Sequence, residues 1–293
     1  MFSVIVPAHN EERVIARCLR ALVEGAAPGA LEVIVVCNAC TDGTADEVRR
    51  CGEPVRLVET QTPGKSNALN LGDAAARGFP RFYVDADVVV SFDSLRHMAR
   101  ALEREGVFAA SPRVRWDLDG ASWAVRAFYD IDRRLPSHLQ TIGGSGVYAV
   151  SELGHLRLGS FPPLTADDAY VRNSFAVHER QTVDEAWSTV TPPKMLAGVV
   201  AIKTRSHFGN YELARHYPQL RRNVGASNAP VLLRLAARPW LWPRLSVYGY
   251  VKVRAKIAAR CRARSGRKLE WIRDDTSRQT TVFSSGGGDI TSH

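Results

Sequence analysis

Four apolar, strand-like runs alternate with three helical patterns within the first 90 residues. The strand-like runs begin at Phe2, Leu31, Val55 and Phe82. In the first of the intervening stretches, apolar residues recur at helical spacing, namely Val14, Ile15, Cys18, Leu19 and Leu22. Such alternation is typical of parallel strands joined by right-handed crossovers, with helices on both faces of the sheet. The sequence therefore predicts an α/β fold with a mostly parallel central sheet.

Polar residues stand where these predicted strands end. They are His9 to Glu11, Asn38, Asp42, Asp85 and Asp87. Ligands of open α/β sheets bind beyond the carboxyl ends of the strands. From the order of the elements alone, we expect these side chains to lie along one rim of the sheet.

Two carboxylates interrupt the fourth apolar run, at Asp85-Ala86-Asp87. An unpaired charge in an apolar setting is costly, so these groups should bind a counter-charge or lie at an exposed strand end. Carboxylate oxygens suit Mg²⁺ and Mn²⁺, which commonly keep a substrate phosphate as a further ligand. The alternative is a strand-to-helix turn in which Asp87 or Asp93 caps the next helix. An isolated Asp-x-Asp favours that alternative, because short motifs often match by chance, and the surrounding motifs decide.

The second half of the chain is less regular. Helices are predicted at 94–102 and 123–131, and strands at 107–114, 147–150 and 182–191. The glycine cluster at 143–146 serves either a close backbone approach to a ligand or a flexible turn. Asp167 and Asp168 are typical of acids in the first turn of a helix. Residues 203–210, which are polar and basic, are predicted to form a loop.

Basic charge is concentrated near the C-terminus. The 293 residues carry a formal net charge of +9, and residues 211–273 hold 15 Lys and Arg against 2 Asp and Glu. Helical patterns run through this segment to about residue 264, and the Gly- and Ser-containing tail at 274–293 is predicted to be disordered. A strongly basic segment on a near-neutral body indicates an anionic partner.

Cysteine usage and hydropathy favour a cytoplasmic protein. The five cysteines include the pair Cys37-x-x-Cys40, but a second pair or a thioredoxin-like context is missing. We therefore expect reduced thiols rather than disulfides, zinc or redox chemistry. The sequence shows no signal-peptide pattern and no apolar run of about 18 residues.

Four motifs follow the predicted strands in a fixed order. They are Val6-Pro7-Ala8-His9-Asn10-Glu11, Asn38-Ala39-Cys40-Thr41-Asp42-Gly43-Thr44, Gly64-Lys65-x-Asn67-Ala68-Leu69-Asn70 and Asp85-Ala86-Asp87. Each motif alone is weak, but the ordered set resembles the family 2 glycosyltransferases over about residues 2–210. The resemblance implies a GT-A fold with a Rossmann-like sheet. It divides the chain into a catalytic domain at 1–210, with a nucleotide half to about 90 and an acceptor half beyond it, and a basic helical segment at 211–273.

The resemblance also assigns roles to individual residues. The donor nucleotide sugar would meet Pro7, Ala8, His9, Glu11, Asn38, Lys65, Asp85, Ala86 and Arg205. A metal, Mg²⁺ or Mn²⁺, would bind at Asp87 with His207 as a further ligand, and Asp168 would be the catalytic base. Asn38 stands where family members often carry Asp, and an amide donates as well as accepts hydrogen bonds. The nucleoside of the donor could therefore be uridine, guanosine or thymidine. A UDP-sugar is favoured.

The reaction implied by the resemblance is an inverting, metal-dependent transfer of one sugar to an acceptor hydroxyl. The acceptor would be a polysaccharide, a lipid or a small-molecule glycoside. The Gln-x-x-Arg-Trp motif of processive synthases is absent, which favours single transfer over polymerisation.

Two other functions are compatible with parts of the sequence. A nucleotidyltransferase with a similar α/β sheet would usually show a Gly-rich, basic loop after strand one, where Ala8-His9-Asn10-Glu11 stands. A non-catalytic nucleic-acid-binding module would use the basic C-terminal segment. That segment has no recognisable reading motif, so no specific nucleic acid partner is expected.

The basic segment has two interpretations of its own. It either packs on the catalytic domain as a helical subdomain or makes reversible, peripheral contact with an anionic membrane that carries a lipid acceptor. The oligomeric state is left open by the sequence.

Overall fold

A computed structural model describes residues 1–139, 142–223 and 227–265. Within these ranges the strands are β1 (Phe2–Ala8), β2 (Leu31–Asn38), β3 (Val55–Thr60), β4 (Arg81–Val84), β5 (Val89–Val90), β6 (Ala109–Trp116), β7 (Val147–Val150) and β8 (Arg180–Val190). The helices are α1 (Ile15–Val23), α2 (Thr44–Cys51), α3 (Lys65–Ala75), α4 (Phe92–Leu102), α5 (Trp123–Asp132), α6 (Pro136–Leu139), α7 (Glu152–Leu158), α8 (Asp167–Ser174), α9 (Leu196–His216), α10 (Ala229–Ala236) and α11 (Trp242–Ser265). The predicted alternation of strands and helices in the first 90 residues is confirmed.

The strands form one sheet in the order β3-β2-β1-β4-β7-β6-β8-β5. β1 to β4 are mutually parallel where they pair, and β6 is parallel to β8. β7 is antiparallel to both β4 and β6, and β5 is antiparallel to β8. As a consequence, the carboxyl ends of β1, β2, β4, β6 and β8 share one edge with the starts of β5 and β7. The short connection 85–88 joins β4 to β5 along this edge. Because β4 and β5 are not neighbours in the strand order, the sheet curls to bring the two strands together.

Both faces of the sheet are covered, because its strands are apolar on both sides. In β1, Val4 and Val6 pack with α1 and α4, while Ile5 packs on the opposite face with Leu69 of α3 and with Tyr83. This two-sided burial is expected of parallel strands flanked by helices. It leaves the edge of the sheet as the place where polar groups can collect.

The C-terminal helices form a second layer over the acceptor half. α9 and α11 pack against each other and against α5, and an apolar cluster that includes Phe128, Tyr248 and Val251 joins them. The predicted packing of the basic segment on the catalytic body therefore holds for the described residues. The remainder of that segment, 266–273, and the predicted disordered tail, 274–293, lie outside the described residues.

The loop predicted at 203–210 is wrong, because these residues lie in the middle of α9. Gly209 sits inside the helix and packs against Ala166, where an added Cβ would come within 2.6 Å of the alanine Cβ. The glycine therefore permits a close approach of α9 to α8 rather than ending the helix. The domain boundary expected after residue 210 also falls inside this continuous helix.

Candidate active site

Hydrogen bonds from the end of β2 hold the turn that follows β1. Nδ2 of Asn38 donates to the carbonyl oxygen of Ala8 at 2.7 Å, and the carbonyl oxygen of Asn38 lies 2.6 Å from Nδ1 of His9. Asn10 has a φ of 55°, a left-handed conformation that asparagine adopts more readily than most residues. The backbone N–H of Glu11, whose side chain is buried, donates to the hydroxyl at the start of α2 at 2.7 Å. The turn is thus fixed at the edge of the sheet.

Asn38 also connects this turn to the start of α3. Its Oδ1 accepts a hydrogen bond from the backbone N–H of Gly64 at 3.2 Å. A carboxylate could accept this bond but could not donate to Ala8, which explains an amide at this position. Asn38 therefore positions both turns.

The carboxylates after β4 meet a lysine from α3. Nζ of Lys65 lies 2.7 Å from Oδ1 of Asp85 and 3.0 Å from Oδ1 of Asp167, so one ammonium joins two segments that are distant in the chain. The backbone N–H of Asp85 donates to the carbonyl oxygen of Gly146 at 2.8 Å. Gly146 has a φ of 62°, and a Cβ added there would come within 2.4 Å of the Val88 side chain and 3.2 Å of Oδ2 of Asp85. Glycine at this position is therefore required by packing within the protein, which is neither of the two roles predicted for the glycine cluster.

Lys65, Asp85, Asp87 and Asp167 form an acidic cluster with an excess of negative charge. Burial raises the pKa of the Asp85 carboxyl against the attraction of Lys65, and the nearby Asp167 and Asp87 carboxylates add to the rise. For Lys65, burial alone would lower the pKa, but Asp167 and Asp85 outweigh it and the pKa is raised. The lysine stays protonated and pairs with Asp85 and Asp167, so the cluster contains three carboxylates and one ammonium. Such a site favours the addition of a cation.

The donor atoms at Asp87 fit a hard divalent cation. Asp85 and Asp87 offer carboxylate oxygens, which Mg²⁺ and Mn²⁺ prefer, and the cluster supplies negative charge. The Asp87 side chain is half-buried, and its backbone carbonyl accepts from Nη2 of Arg17 at 3.3 Å. In the part of the chain that the structure describes, no three His, Cys, Asp or Glu side chains are grouped closely enough to hold a metal. The carboxylates of Asp85 and Asp87 are the residues that would hold such a cation.

The two acids at the start of α8 have different surroundings. Asp167 is buried, and its Oδ2 accepts from the Tyr148 hydroxyl at 2.9 Å while Oδ1 faces Lys65. Asp168 is half-buried, its Oδ1 accepts from the N–H of Ala169 at 2.7 Å, and its Oδ2 faces Gly143. Both carboxylate oxygens of Asp167 therefore contact other side chains of the protein. Its link to Tyr148 and Lys65 could not be found from the sequence, because no periodicity relates the three positions.

His207 and Arg205 lie on α9 rather than on a loop. Burial lowers the pKa of the His207 imidazole to about 4, and the positive charges of Lys252, Lys203 and Lys256 act in the same direction. The charged groups that act on His207 are therefore lysines. Its assignment as a metal ligand stays a prediction. Arg205, two residues earlier, lies about 200° around the helix from His207.

Pro7 is half-buried at the end of β1, whereas Ala86 is buried after the end of β4. Pro7 pairs with Val36 in the β1–β2 ladder. Ala86 is buried in the apolar core, so only its peptide groups can contact a ligand.

Comparison with known sequences gives one family. The sequence model of glycosyl transferase family 2 matches residues 3–149, half of the chain. The probable glycosyltransferase YdaM of Bacillus subtilis is 42% identical over 93 residues, which are 29% of this chain and 22% of that protein. The dolichyl-phosphate beta-glucosyltransferase of Drosophila melanogaster is 30% identical over 147 residues, 43% of this chain and 44% of that protein. The chain therefore spans less than half the length of these relatives.

Solved glycosyltransferases share the fold. The mannosyltransferase PcManGT from Pyrobaculum calidifontis, in complex with GDP-Man and Mn²⁺, superposes with a TM-score of 0.61 at 27% identity, covering 91% of this chain and 76% of that one. Glucosyl-3-phosphoglycerate synthase from Mycobacterium tuberculosis, in complex with phosphoglyceric acid, has a TM-score of 0.52 at 19% identity over 73% of this chain and 79% of that one. The predicted GT-A architecture is confirmed. The chain is a glycosyltransferase of family 2.

Proposed function

We propose that this enzyme transfers one sugar from a nucleoside-diphosphate sugar to an acceptor hydroxyl, with inversion and with Mg²⁺ or Mn²⁺. The observation that carries the proposal is the acidic cluster at the carboxyl end of β4, next to the fixed turn after β1. Family 2 membership supports a nucleotide-sugar donor. The similar mannosyltransferase structure holds GDP-Man and Mn²⁺, so guanosine and uridine donors both belong in the test.

The donor would lie along the edge of the sheet formed by β1, β2 and β4. The turn at Pro7, Ala8, His9 and Glu11 would contact the nucleoside, and the Asp85-Ala86-Asp87 segment would meet ribose and diphosphate. Asn38 would act by holding the first turn in place. Lys65 contributes by fixing Asp85 at 2.7 Å, so that the carboxylate is presented in one orientation. Arg205 is the further candidate for phosphate contact.

The chemistry requires charge stabilisation on one side and proton removal on the other. A bound divalent cation at Asp87 supplies stabilisation for the negative charge that develops on the β-phosphate as the sugar bond breaks. On the opposite face of the sugar, Asp168 accepts the proton of the attacking hydroxyl. The hydrogen bond from the backbone N–H of Ala169 to Oδ1, at 2.7 Å, orients this carboxylate and leaves its Oδ2 to accept the proton. One in-line displacement of this kind inverts the anomeric carbon.

A panel of nucleotide sugars tests this function directly. UDP- and GDP-linked hexoses are incubated with the enzyme and Mn²⁺, and release of nucleoside diphosphate is measured with and without EDTA. We expect one donor to be hydrolysed slowly in water and faster with an acceptor, and EDTA to stop both reactions. Hydrolysis that is indifferent to EDTA would contradict the metal requirement.

We further propose that the enzyme is cytoplasmic and makes peripheral contact with the inner face of an anionic membrane. No helix in the described ranges has the length and apolar character to span a bilayer. The α10–α11 region instead exposes Leu233, Trp240 and Trp242, and Tyr250, Val253 and Ile257 form an exposed stripe on α11. Basic residues flank this stripe, a pattern typical of helices that lie at a membrane interface.

Flotation with anionic and neutral liposomes tests the membrane contact. We expect binding to the anionic liposomes at low salt and loss of binding in Leu233→Ser and Trp240→Ser. Leu156→Ser on α7 is the matched control, because Leu156 and Leu233 are 72% and 73% exposed. Equal losses in the control and test variants, or no binding at low salt, would leave α10 and α11 as packing elements only.

A further inference from the structure

A further candidate site lies near the acidic cluster. It is a cavity of about 580 Å³ between the end of β6, α5 and the first turn of α11. This volume is within the usual range for small-molecule sites, about 300 to 1,000 Å³. The residues that matter for the argument are Arg115, Trp116, Trp123, Arg126, Asp130 and Arg244. We call this site the arginine cavity.

Strand pairing places the arginine cavity near the acidic cluster. In β8, Thr189 lies opposite Val89, two residues after Asp87, and the next residue, Val190, lies opposite Trp116. The backbones of Trp116 and Val89 are therefore separated by two strand spacings, about 10 Å. A molecule in the cavity can thus reach a sugar held at the end of β4.

The cavity has the opposite charge to the acidic cluster. Four arginines line it against the single carboxylate of Asp130. Asp130 is already shared, since its Oδ1 lies 2.6 Å from Nη2 of Arg133 and its Oδ2 lies 3.5 Å from Nη1 of Arg244. Of the residues that the structure describes, none forms a carboxylate ion pair with Arg115 or Arg126. These two exposed guanidinium groups give the site uncompensated positive charge.

The remaining wall is aromatic. The rings of Trp116 and Tyr129 stand 4.3 Å apart between centroids, and Trp123 is 60% exposed at the rim. The guanidinium of Arg115 stacks 4.3 Å from the centroid of the Trp187 ring. This stacking orients the guanidinium and leaves its N–H groups able to donate hydrogen bonds. The cavity therefore combines an apolar surface with fixed donors for an anion.

We propose that the arginine cavity binds the acceptor, and that the acceptor carries a phosphate or carboxylate next to an apolar or ring-shaped part. This inference rests on the proposed function and specifies its second substrate. Arg115 and Arg126 bind the anionic group, because guanidinium forks match phosphate and carboxylate oxygens. Trp116 and Trp123 contact the apolar part.

Small anions test this proposal, because they carry the charged group that the arginine cavity would recognise in any acceptor. Binding of phenyl phosphate, benzoate, farnesyl phosphate and uncharged farnesol to the whole chain is measured by calorimetry. Saturating nucleoside diphosphate and Mn²⁺ are present, so that the probes cannot occupy the donor site. We expect the anions to bind and farnesol to bind at least 10-fold more weakly. Tighter binding of farnesyl phosphate than of phenyl phosphate would identify a lipid acceptor, and the reverse a soluble one.

Two variants locate the binding. Arg115→Gln and Arg126→Gln should each weaken anion binding about 10-fold, the usual effect of losing a charged hydrogen bond. Arg104→Gln is the matched control, because Arg104 is an exposed arginine outside the cavity. All three variants should keep donor stabilisation and nucleotide-sugar hydrolysis.

The outcomes separate the two proposals. If no anionic probe binds, or if both cavity variants bind the anions as tightly as the unmodified enzyme, the acceptor proposal is overturned while the proposed function stands. If the unmodified enzyme shows neither donor stabilisation nor hydrolysis, the proposed function itself fails.

Discussion

The acidic cluster and the arginine cavity lie at the same edge of the sheet but are built in different ways. The cluster joins residues from the end of β4 and the starts of α3 and α8, and contacts such as Lys65 to Asp167 at 3.0 Å hold it in place. The cavity takes its free charge from Arg115 on β6 and Arg126 on α5, whose side chains are exposed. Substitution in the acidic cluster should therefore affect stability and donor binding together. Substitution in the arginine cavity should affect acceptor binding alone.

This difference has a chemical counterpart. A surplus of carboxylates attracts a cation and, through it, a diphosphate, whereas a surplus of guanidinium groups attracts an anion directly. These two charged regions of opposite sign, at the same edge of the sheet, would give each substrate its own place. The predictions below test how far each region depends on its own contacts.

The largest expected effect comes from Asp168. Asp168→Asn keeps the size of the side chain and should lower turnover by about 10² to 10⁴-fold with donor binding nearly unchanged, as for loss of a general base. The competing role, stabilisation of the first turn of α8, would cost about 1 kcal/mol of stability and little activity. Turnover and thermal stability of the variant decide between them.

Asp93→Asn is the matched control for this substitution. Asp93 is the second residue of α4, as Asp168 is the second residue of α8, and it lies in the corresponding first turn. It should leave turnover unchanged. Full activity in Asp168→Asn, or retention of the donor's anomeric configuration in the product, would disprove the proposed mechanism.

The next effect concerns the stability of the acidic cluster. Asp167→Asn removes one of the two carboxylates that pair with the half-buried Lys65 and should cost about 2 to 4 kcal/mol, below the full cost of breaking a buried pair because Asp85 remains. Chemical unfolding measures the change. Asp46→Asn, which breaks the exposed ion pair with Arg49, should leave the unfolding midpoint unchanged. An equally small effect in both variants would mean that the cluster is not a structural unit.

The smallest of these effects is a pH dependence from His207. Its imidazole titrates near 6.5 in an unfolded chain and near 4 in the folded enzyme. Between these values the unfolded state binds the extra proton, so the free energy of unfolding falls as the pH is lowered from 7 towards 4. The loss from this residue at pH 5 should be about 2 kcal/mol.

His207→Gln should remove this part of the acid sensitivity and retain metal-dependent hydrolysis. His216→Gln, at an exposed position of the same helix, should leave the pH profile unchanged. Loss of metal dependence in His207→Gln would instead support the imidazole as a metal ligand.

The sequence specified the nucleotide half well, because its strands are buried on both faces and its polar residues mark the strand ends. The strands from β1 to β4 and the edge that carries Asn38 and Asp85 follow from this pattern. The resemblance supplied residue roles that periodicity cannot give. The roles assigned to the turn after β1, to Asp87 and to Asp168 remain predictions.

The sequence failed where distant segments decide the local structure. Residues 203–210 are polar and contain Gly209, which favours a loop, yet packing against Ala166 and α11 makes them helical. In the same way, nothing in the chain order relates Lys65 to Asp167. The arginine cavity depends on α5 and α11 meeting at Asp130, which is again a tertiary event.

The central claim is that the edge of the sheet at Asp87 binds a nucleoside diphosphate through a divalent cation. The most direct test is the thermal stability of the enzyme and of Asp87→Asn with UDP or GDP, each with Mn²⁺ or with EDTA. Binding of a ligand to the folded state alone raises the unfolding temperature. We predict that one nucleotide stabilises the unmodified enzyme only when Mn²⁺ is present, and that Asp87→Asn folds but shows no such shift. Stabilisation that persists in EDTA or in Asp87→Asn would contradict the claim.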